Sequence, residues 1–129
     1  MKIRGADFVM FLVSDLSAAV AFYRDVLDMH CEIFSEEDQW AEFDCDNVTL
    51  SLKGRSVPAG SKAGGRIALA VSDIFAAYEE LKKKGISIEN PPIDNGCCHH
   101  LELHDPDGNL VILHQRADGT YGQNAKASG

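Results

Sequence analysis

"VSDLSAAVAFYRDVL" runs from Val13 to Leu27, and "VSDIFAAYEELKKKG" runs from Val71 to Gly85. Each copy follows an apolar run, "DFVMFLV" before Ser14 and "RIALAV" before Ser72. Such runs read as strands buried on both faces. Asp15 and Asp73 are placed to cap a helix by accepting from its first free N–H groups. Leu16, Ala19, Val20, Tyr23, Val26 and Leu27 then form one helical stripe, and Ile74, Ala77, Tyr78 and Leu81 form another. Lys82, Lys83 and Lys84 suit the negative end of the second helix dipole, and Gly85 suits a left-handed cap. Their clustering therefore reads as a helix end rather than a binding patch.

Three shorter strand candidates follow each helix. They are "CEIFSE", "WAEFD" and "VTLSL" in the first half, and "ISIE", "CHHLELH" and "NLVILH" in the second. "DPDG" at Asp105–Gly108 reads as a turn, with proline supplying the fixed φ and glycine a positive one. The fold class is α+β, built from two βαβββ modules at about 5–53 and 65–116, joined by residues 54–64 within one domain of residues 1–116. Residues 117–129 lack periodicity and are expected to form a mobile C-terminal tail.

Composition bounds the function. The 129 residues suffice for one domain with its own core. The formal net charge of −8 argues against nucleic acid or an anionic membrane as partner. No apolar run reaches the ~20 residues a bilayer span needs, and no signal peptide is visible. Cys31, Cys45, Cys97 and Cys98 show no paired C-x-x-C spacing. On a strand, adjacent Cys97 and Cys98 would point to opposite faces, which argues against a bond between them. Reduced thiols in a cytoplasmic protein are the expectation.

The duplicated "VSDL…AFYRDVL" and "VSDI…AYEELKKKGI", closed by "DPDGN", resemble the vicinal oxygen chelate superfamily over roughly residues 5–116. That superfamily includes glyoxalase I, extradiol dioxygenases and bleomycin-resistance proteins. Asp28 departs from the pattern, standing where a glycine is usual. The resemblance implies two half-barrels enclosing a cavity, a homodimer, and in the enzymes a divalent metal. It also implies a histidine seven residues before the aspartate of each "VSD" and a glutamate in each module's final strand. Those positions carry Phe8, Arg66, Ile112 and, by alignment of "DNVTLSL" with "GNLVILH", Leu50. None offers a metal a lone pair at neutral pH, so no metal or other cofactor is expected.

Other residues could replace that set. His100, Glu102 and His104 share one face of a strand with Cys98, and His114 ends the neighbouring strand. His100, Glu102 and His114 could form a displaced Zn²⁺ or Fe²⁺ site, although polar alternation at a wet rim explains the same pattern. Arg66 shares its face with Ala68 and Ala70, which leave room for a ligand. It could pair with Glu102 or Glu42, clamp an anionic ligand, or face solvent. Trp40 could be core or an aromatic wall. Cys98 and His100 lie ~6–7 Å apart on a strand, too far for a nucleophile and its base. No catalytic residue is assignable.

The favoured function is metal-independent binding of a small anionic or aromatic molecule by Arg66, Phe8, Trp40, Leu50, His100, Glu102, Ile112 and His114. Competing readings are a metal-dependent lyase, isomerase or dioxygenase using the displaced ligands, and an interaction module of a larger assembly.

Overall fold

A computed structural model of the chain describes residues 1–2, 4, 6–61 and 64–122. The first module contains strand β1 (Phe8–Leu12), helix α1 (Leu16–Ala21), β2 (His30–Ser35), β3 (Trp40–Asp44) and β4 (Thr49–Lys53). The second contains β5 (Arg66–Ala70), helix α2 (Ile74–Lys83), β6 (Ile93–Asp94), β7 (Cys98–His104) and β8 (Leu110–Arg116). Each makes one four-stranded sheet, ordered β1-β4-β3-β2 and β5-β8-β7-β6. The repeated sequence is therefore a repeated topology, α+β in class, with a parallel strand pair opening each module (β1 with β4, β5 with β8).

Both caps form as the sequence requires. The Asp15 carboxylate accepts from the Ala18 amide, and Asp73 accepts from Phe75 and Ala76. After Ala21 the first helix widens into a π-helical turn over Phe22–Val26, where the Leu27 amide donates to the Phe22 carbonyl. Phe22 and Tyr23 are both buried there. Asp28 follows in the left-handed region at φ 57°, the conformation for which glycine is the usual residue. Gly85 closes α2 at φ 77°.

Two strand expectations need correction. "ISIE" at Ile86–Glu89 forms no strand. The partner of β7 is β6, with Ile93 opposite His100 and Asp94 opposite His99. Extending that ladder backwards would place Pro92 and Pro91 next, and neither has an N–H to donate. Nor are β1 and β5 buried on both faces. Phe8, Met10 and Leu12 are 53%, 43% and 40% exposed, and Arg66, Ala68 and Ala70 are exposed as well. In each sheet only the other face is covered, by α1 over β3 and β4 and by α2 over β8.

The chain divides into two compact units. One contains residues 1–65 with 104–109; the other contains 66–103 and the chain from 110 onward. The first unit thus includes the "DPDGN" turn that links β7 to β8. Asp105, buried there, accepts from four donors: the Tyr23 hydroxyl at 2.8 Å, the Asp107 and Asn109 amides at 2.9 Å each, and the Asn109 side chain at 2.9 Å. The Asp107 carboxylate accepts from the Ser14 amide, and the Asn109 side-chain oxygen Oδ1 accepts from the Gly65 amide, both at 3.0 Å. Burial, then the negative charge of Asp105, hold the Tyr23 phenol protonated far above its ordinary range. Gly108 supplies the expected positive φ, 82°.

Tyr23→Phe deprives a buried carboxylate of one donor and should cost about 1–3 kcal/mol near neutral pH. Because the folded-state pKa of Tyr23 is raised, that contribution is present below the unfolded tyrosine pKa of about 10. It declines above it, at up to ~1.4 kcal/mol per pH unit. Urea unfolding of both proteins at pH 8 and pH 11 should show the gap between them narrowing at pH 11. A second substitution probes the same turn. A Cβ on Gly65 would lie 2.6 Å from Asn109 Oδ1 and 2.8 Å from Phe11 Cδ1. Gly65→Ala should therefore destabilise the protein by about 1–3 kcal/mol in urea unfolding.

Candidate functional site

Ladder register decides which side chains share a face. In the first unit Phe8 lies opposite Thr49, Met10 opposite Ser51, and Leu12 opposite Lys53. Ser51 in turn lies opposite Glu42, and Lys53 opposite Trp40. Phe8, Met10, Leu12, Trp40, Glu42 and Ser51 therefore belong to the face that α1 does not cover. Leu50 pairs with Val9 and Phe43 and is buried on the helix side.

Leu50 is thus no site residue. The alignment that selected it was one residue out of step, and on a strand one residue means the opposite face. Ser51 takes its place: relative to Phe8 and Thr49 it stands as Ile112 stands relative to Arg66 and Leu110. Its hydroxyl is fully buried and, among the described residues, has no hydrogen-bond partner. The Phe8 and Trp40 rings meet edge to face, with centroids 6.2 Å apart, across the row that holds Ser51. Trp40 is half-buried, and its indole N–H donates to Glu42 Oε2 at 3.1 Å. Trp40 therefore belongs to this exposed-face aromatic pair rather than to the helix-side core.

In the second unit Arg66, Ala68 and Ala70 lie opposite Leu110, Ile112 and His114, so all six share a face. Arg66 is exposed and makes no ion pair among the described residues. Within its own unit the suggested bridge to Glu102 is absent among the described residues, and Glu102 is exposed as well. Water pays the solvation cost that a buried guanidinium would need a partner to offset.

A pocket of about 610 Å³ opens over the far end of this face. Ala68 and Ala70 form its floor, His114 and Arg116 lie on one side, and Thr120 and Tyr121 belong to the wall that follows β8. That wall is hydrogen-bonded: Ala117 donates to the Cys97 carbonyl, Gly119 to the Arg116 carbonyl, and the Thr120 amide to Asp118 Oδ1. The Arg116 guanidinium donates to Thr120 Oγ1 at 3.2 Å. Residues 117–122, expected to belong to a mobile tail, carry these bonds; the rest of that expectation, residues 123–129, lies outside the described residues. "DG" at Asp118–Gly119 is the sequence signal for this turn, with Gly119 at φ 78°. Arg116, Thr120 and Tyr121 escaped sequence reasoning because a structureless tail was expected.

The other candidates separate. His100 Nδ1 lies 2.6 Å from Asn95 Nδ2, and Ile112 is half-buried beside Ala68. Among the described residues no three His, Cys, Asp or Glu side chains are placed to hold a metal ion. His100, Glu102 and His114 therefore do not form the displaced site. The inherited metal positions fare no better. Phe8 and Ile112 have no donor atom, Arg66 carries a fixed positive charge, and Ser51 is a neutral hydroxyl. The residues present do not fit the family's divalent metal. Cys97 and Cys98 also depart from expectation. Cys97 lies in the bend before β7, so the two thiols do not take opposite faces, and their sulfurs are 3.1 Å apart.

Comparison with known proteins agrees with this architecture. A probable lactoylglutathione lyase from Vibrio parahaemolyticus is 26% identical over 127 residues, covering 88% of this chain and 91% of that protein. TnmS3, an antibiotic-binding protein from Streptomyces, superposes with a TM-score of 0.75 at 21% identity, covering 91% of this chain and 99% of that one. Lactoylglutathione lyase from Agrobacterium tumefaciens superposes at 0.73 with 21% identity, covering 89% and 96%. No helix among the described residues is long and apolar enough to cross a membrane. The family model of the Glyoxalase/Bleomycin resistance protein/Dioxygenase superfamily matches residues 5–113, and this chain belongs to that superfamily.

Proposed function

We propose that this protein binds a small aromatic molecule carrying a negative group, without the divalent metal of its enzymatic relatives. One observation carries the reading. The β5–β8 face has a cation, Arg66, where the resemblance implies a metal ligand, and a pocket opens over Ala68 and Ala70 on the same face. Ala68 and Ala70 contribute small apolar side chains to the lining, and the Tyr121 ring supplies an aromatic wall. Arg66 lies two and four residues along the strand from Ala68 and Ala70, about 7 and 13 Å away. A ligand seated on the alanines can thus extend its anionic end to the guanidinium. That contact is a charge-assisted hydrogen bond made at the protein surface. Binding antibiotics is the described role of TnmS3, which shares the fold, and it is consistent with this reading.

Thermal-shift and calorimetric titrations with 1-naphthoate, indole-3-acetate and the neutral alcohol 1-naphthalenemethanol test it. The carboxylates should stabilise the protein more than the alcohol and bind equally well in the presence of a chelator. Arg66→Ala should weaken the carboxylates by roughly tenfold or more while leaving unfolding in urea nearly unchanged. Ala70→Leu should fill the floor and abolish binding of all three. Binding that vanishes with chelator and returns with a divalent cation would overturn the proposal, as would stabilisation by the neutral alcohol alone.

The same reading includes a homodimer. Phe8, Met10 and Leu12 are a row of exposed apolar side chains on one strand face, the kind of surface that a partner covers. Light scattering should give the mass of two chains at working concentration, and Met10→Asp should shift it toward one. A single-chain mass for the unaltered protein would rule the dimer out.

A further inference from the structure

Cys97 and Cys98 lie outside the pocket, yet one hydrogen bond ties them to its wall. Their sulfurs are 3.1 Å apart; Cys97 is exposed and Cys98 half-buried. The carbonyl of Cys97 belongs to the peptide bond between the two cysteines. That carbonyl accepts the Ala117 amide at 2.9 Å, the first hydrogen bond of the turn leading to Thr120 and Tyr121. On the other side, the Cys98 carbonyl accepts the Asn95 amide at 2.8 Å. Any change in the Cys97–Cys98 peptide therefore acts on the anchor of the wall.

We propose that Cys97 and Cys98 form an oxidisable dithiol that closes to a vicinal disulfide under peroxide, and that closure loosens the turn 117–122. The chemistry balances. The Cys97 thiolate attacks one oxygen of hydrogen peroxide, giving a sulfenic acid and releasing hydroxide. The Cys98 sulfur then attacks the sulfenic sulfur and expels its oxygen as hydroxide, which takes the Cys98 proton. Two thiols lose two electrons, and peroxide becomes two waters. A small thiol such as glutathione reopens the ring by exchange.

Geometry makes the pair reactive and reversible rather than structural. Sulfurs already in contact need little motion to bond. Adjacent α-carbons, however, stand about 3.8 Å apart, below the 4.4–6.8 Å that disulfides usually span. The ring is therefore strained, and strained disulfides are the labile, regulatory ones. The strain falls on the peptide whose carbonyl holds Ala117. The neighbouring sulfur, followed by burial, pushes the Cys98 thiol up, which suits it to remain a thiol while Cys97 reacts first. Burial is also the main reason that Cys31 and Cys45 are pushed up, and these compete poorly for peroxide.

The test uses the reduced full chain and hydrogen peroxide, read by mass spectrometry, thiol titration and hydrogen exchange. Two thiols should disappear with a mass loss of about 2 Da, mapped to the peptide holding both cysteines, and glutathione should restore them. The Ala117 amide should exchange roughly tenfold faster after oxidation. Cys97→Ser should abolish ring formation and leave that amide insensitive to peroxide. Oxidation that instead joins Cys31, Cys45 or two chains, or stops as sulfinic acid on one sulfur, would overturn the dithiol. A closed ring with unchanged exchange at Ala117 would overturn its link to the wall. None of these readouts depends on what the pocket binds.

Discussion

Asp105 is a carboxylate taken out of water, and an ion in that position is tolerable only when every lone pair is used. Four donors use them. Three come from within the turn itself, so "DPDGN" is a self-satisfied anion cradle. The fourth, the Tyr23 hydroxyl, comes from the π-helical turn after α1, far away in sequence. Asp107 and Asn109 extend the same logic to the backbone at Ser14 and Gly65. The start of α1, its end and the backbone at Gly65 are thereby referred to one turn. Satisfied polar networks of this kind specify a unique arrangement where apolar packing alone would tolerate slippage.

The widening of the first helix becomes intelligible in that light. An α-helical continuation after Ala21 would rotate successive side chains by the ordinary 100°. The π turn changes that phase and leaves both Phe22 and Tyr23 buried. Tyr23 packs against Phe22 and Phe43 while its hydroxyl reaches Asp105. Apolar periodicity placed Tyr23 on the buried stripe of the helix. It carried no information about the hydroxyl's partner, because that partner lies in the other half of the sequence.

Legibility in the sequence followed the same division. Capping aspartates, Gly85 and the "DPDG" turn are local features with local causes, and the structure reproduces each; the first helical stripe holds only as far as the π turn, which buries Phe22 as well. The strand at "ISIE" failed because the ladder was decided by Pro91 and Pro92 just downstream. Leu50 failed for a more instructive reason. Alternation says that two faces exist, but register against the neighbouring strand says which residue lies on which. "TLSL" and "LVIL" are similar enough that a shift of one residue between them leaves both apolar patterns intact. Arg66 shares a face of β5 with Ala68 and Ala70, as alternation requires, but its solvent exposure depends on the whole surface, and no local pattern carries that.

The two modules share topology, caps and strand order, yet their uncovered faces have diverged. The helix-covered faces hold residues of one kind, such as Leu50, Leu52 and Phe43 in one unit and Leu101, Leu103, Val111 and Leu113 in the other. Close packing there penalises any change of volume. The uncovered faces meet no such constraint. One carries Phe8, Met10, Leu12 and the edge-to-face contact with Trp40; the other carries the Arg66 guanidinium, two alanines and His114. Losing a metal ligand from such a face costs the fold nothing, because the ligand contributes to metal binding and not to the packed layer. Duplication thus supplies two scaffolds whose stability resides on one side of each sheet. The other side is left free to change its chemistry, and a shared fold can accompany very different ligands.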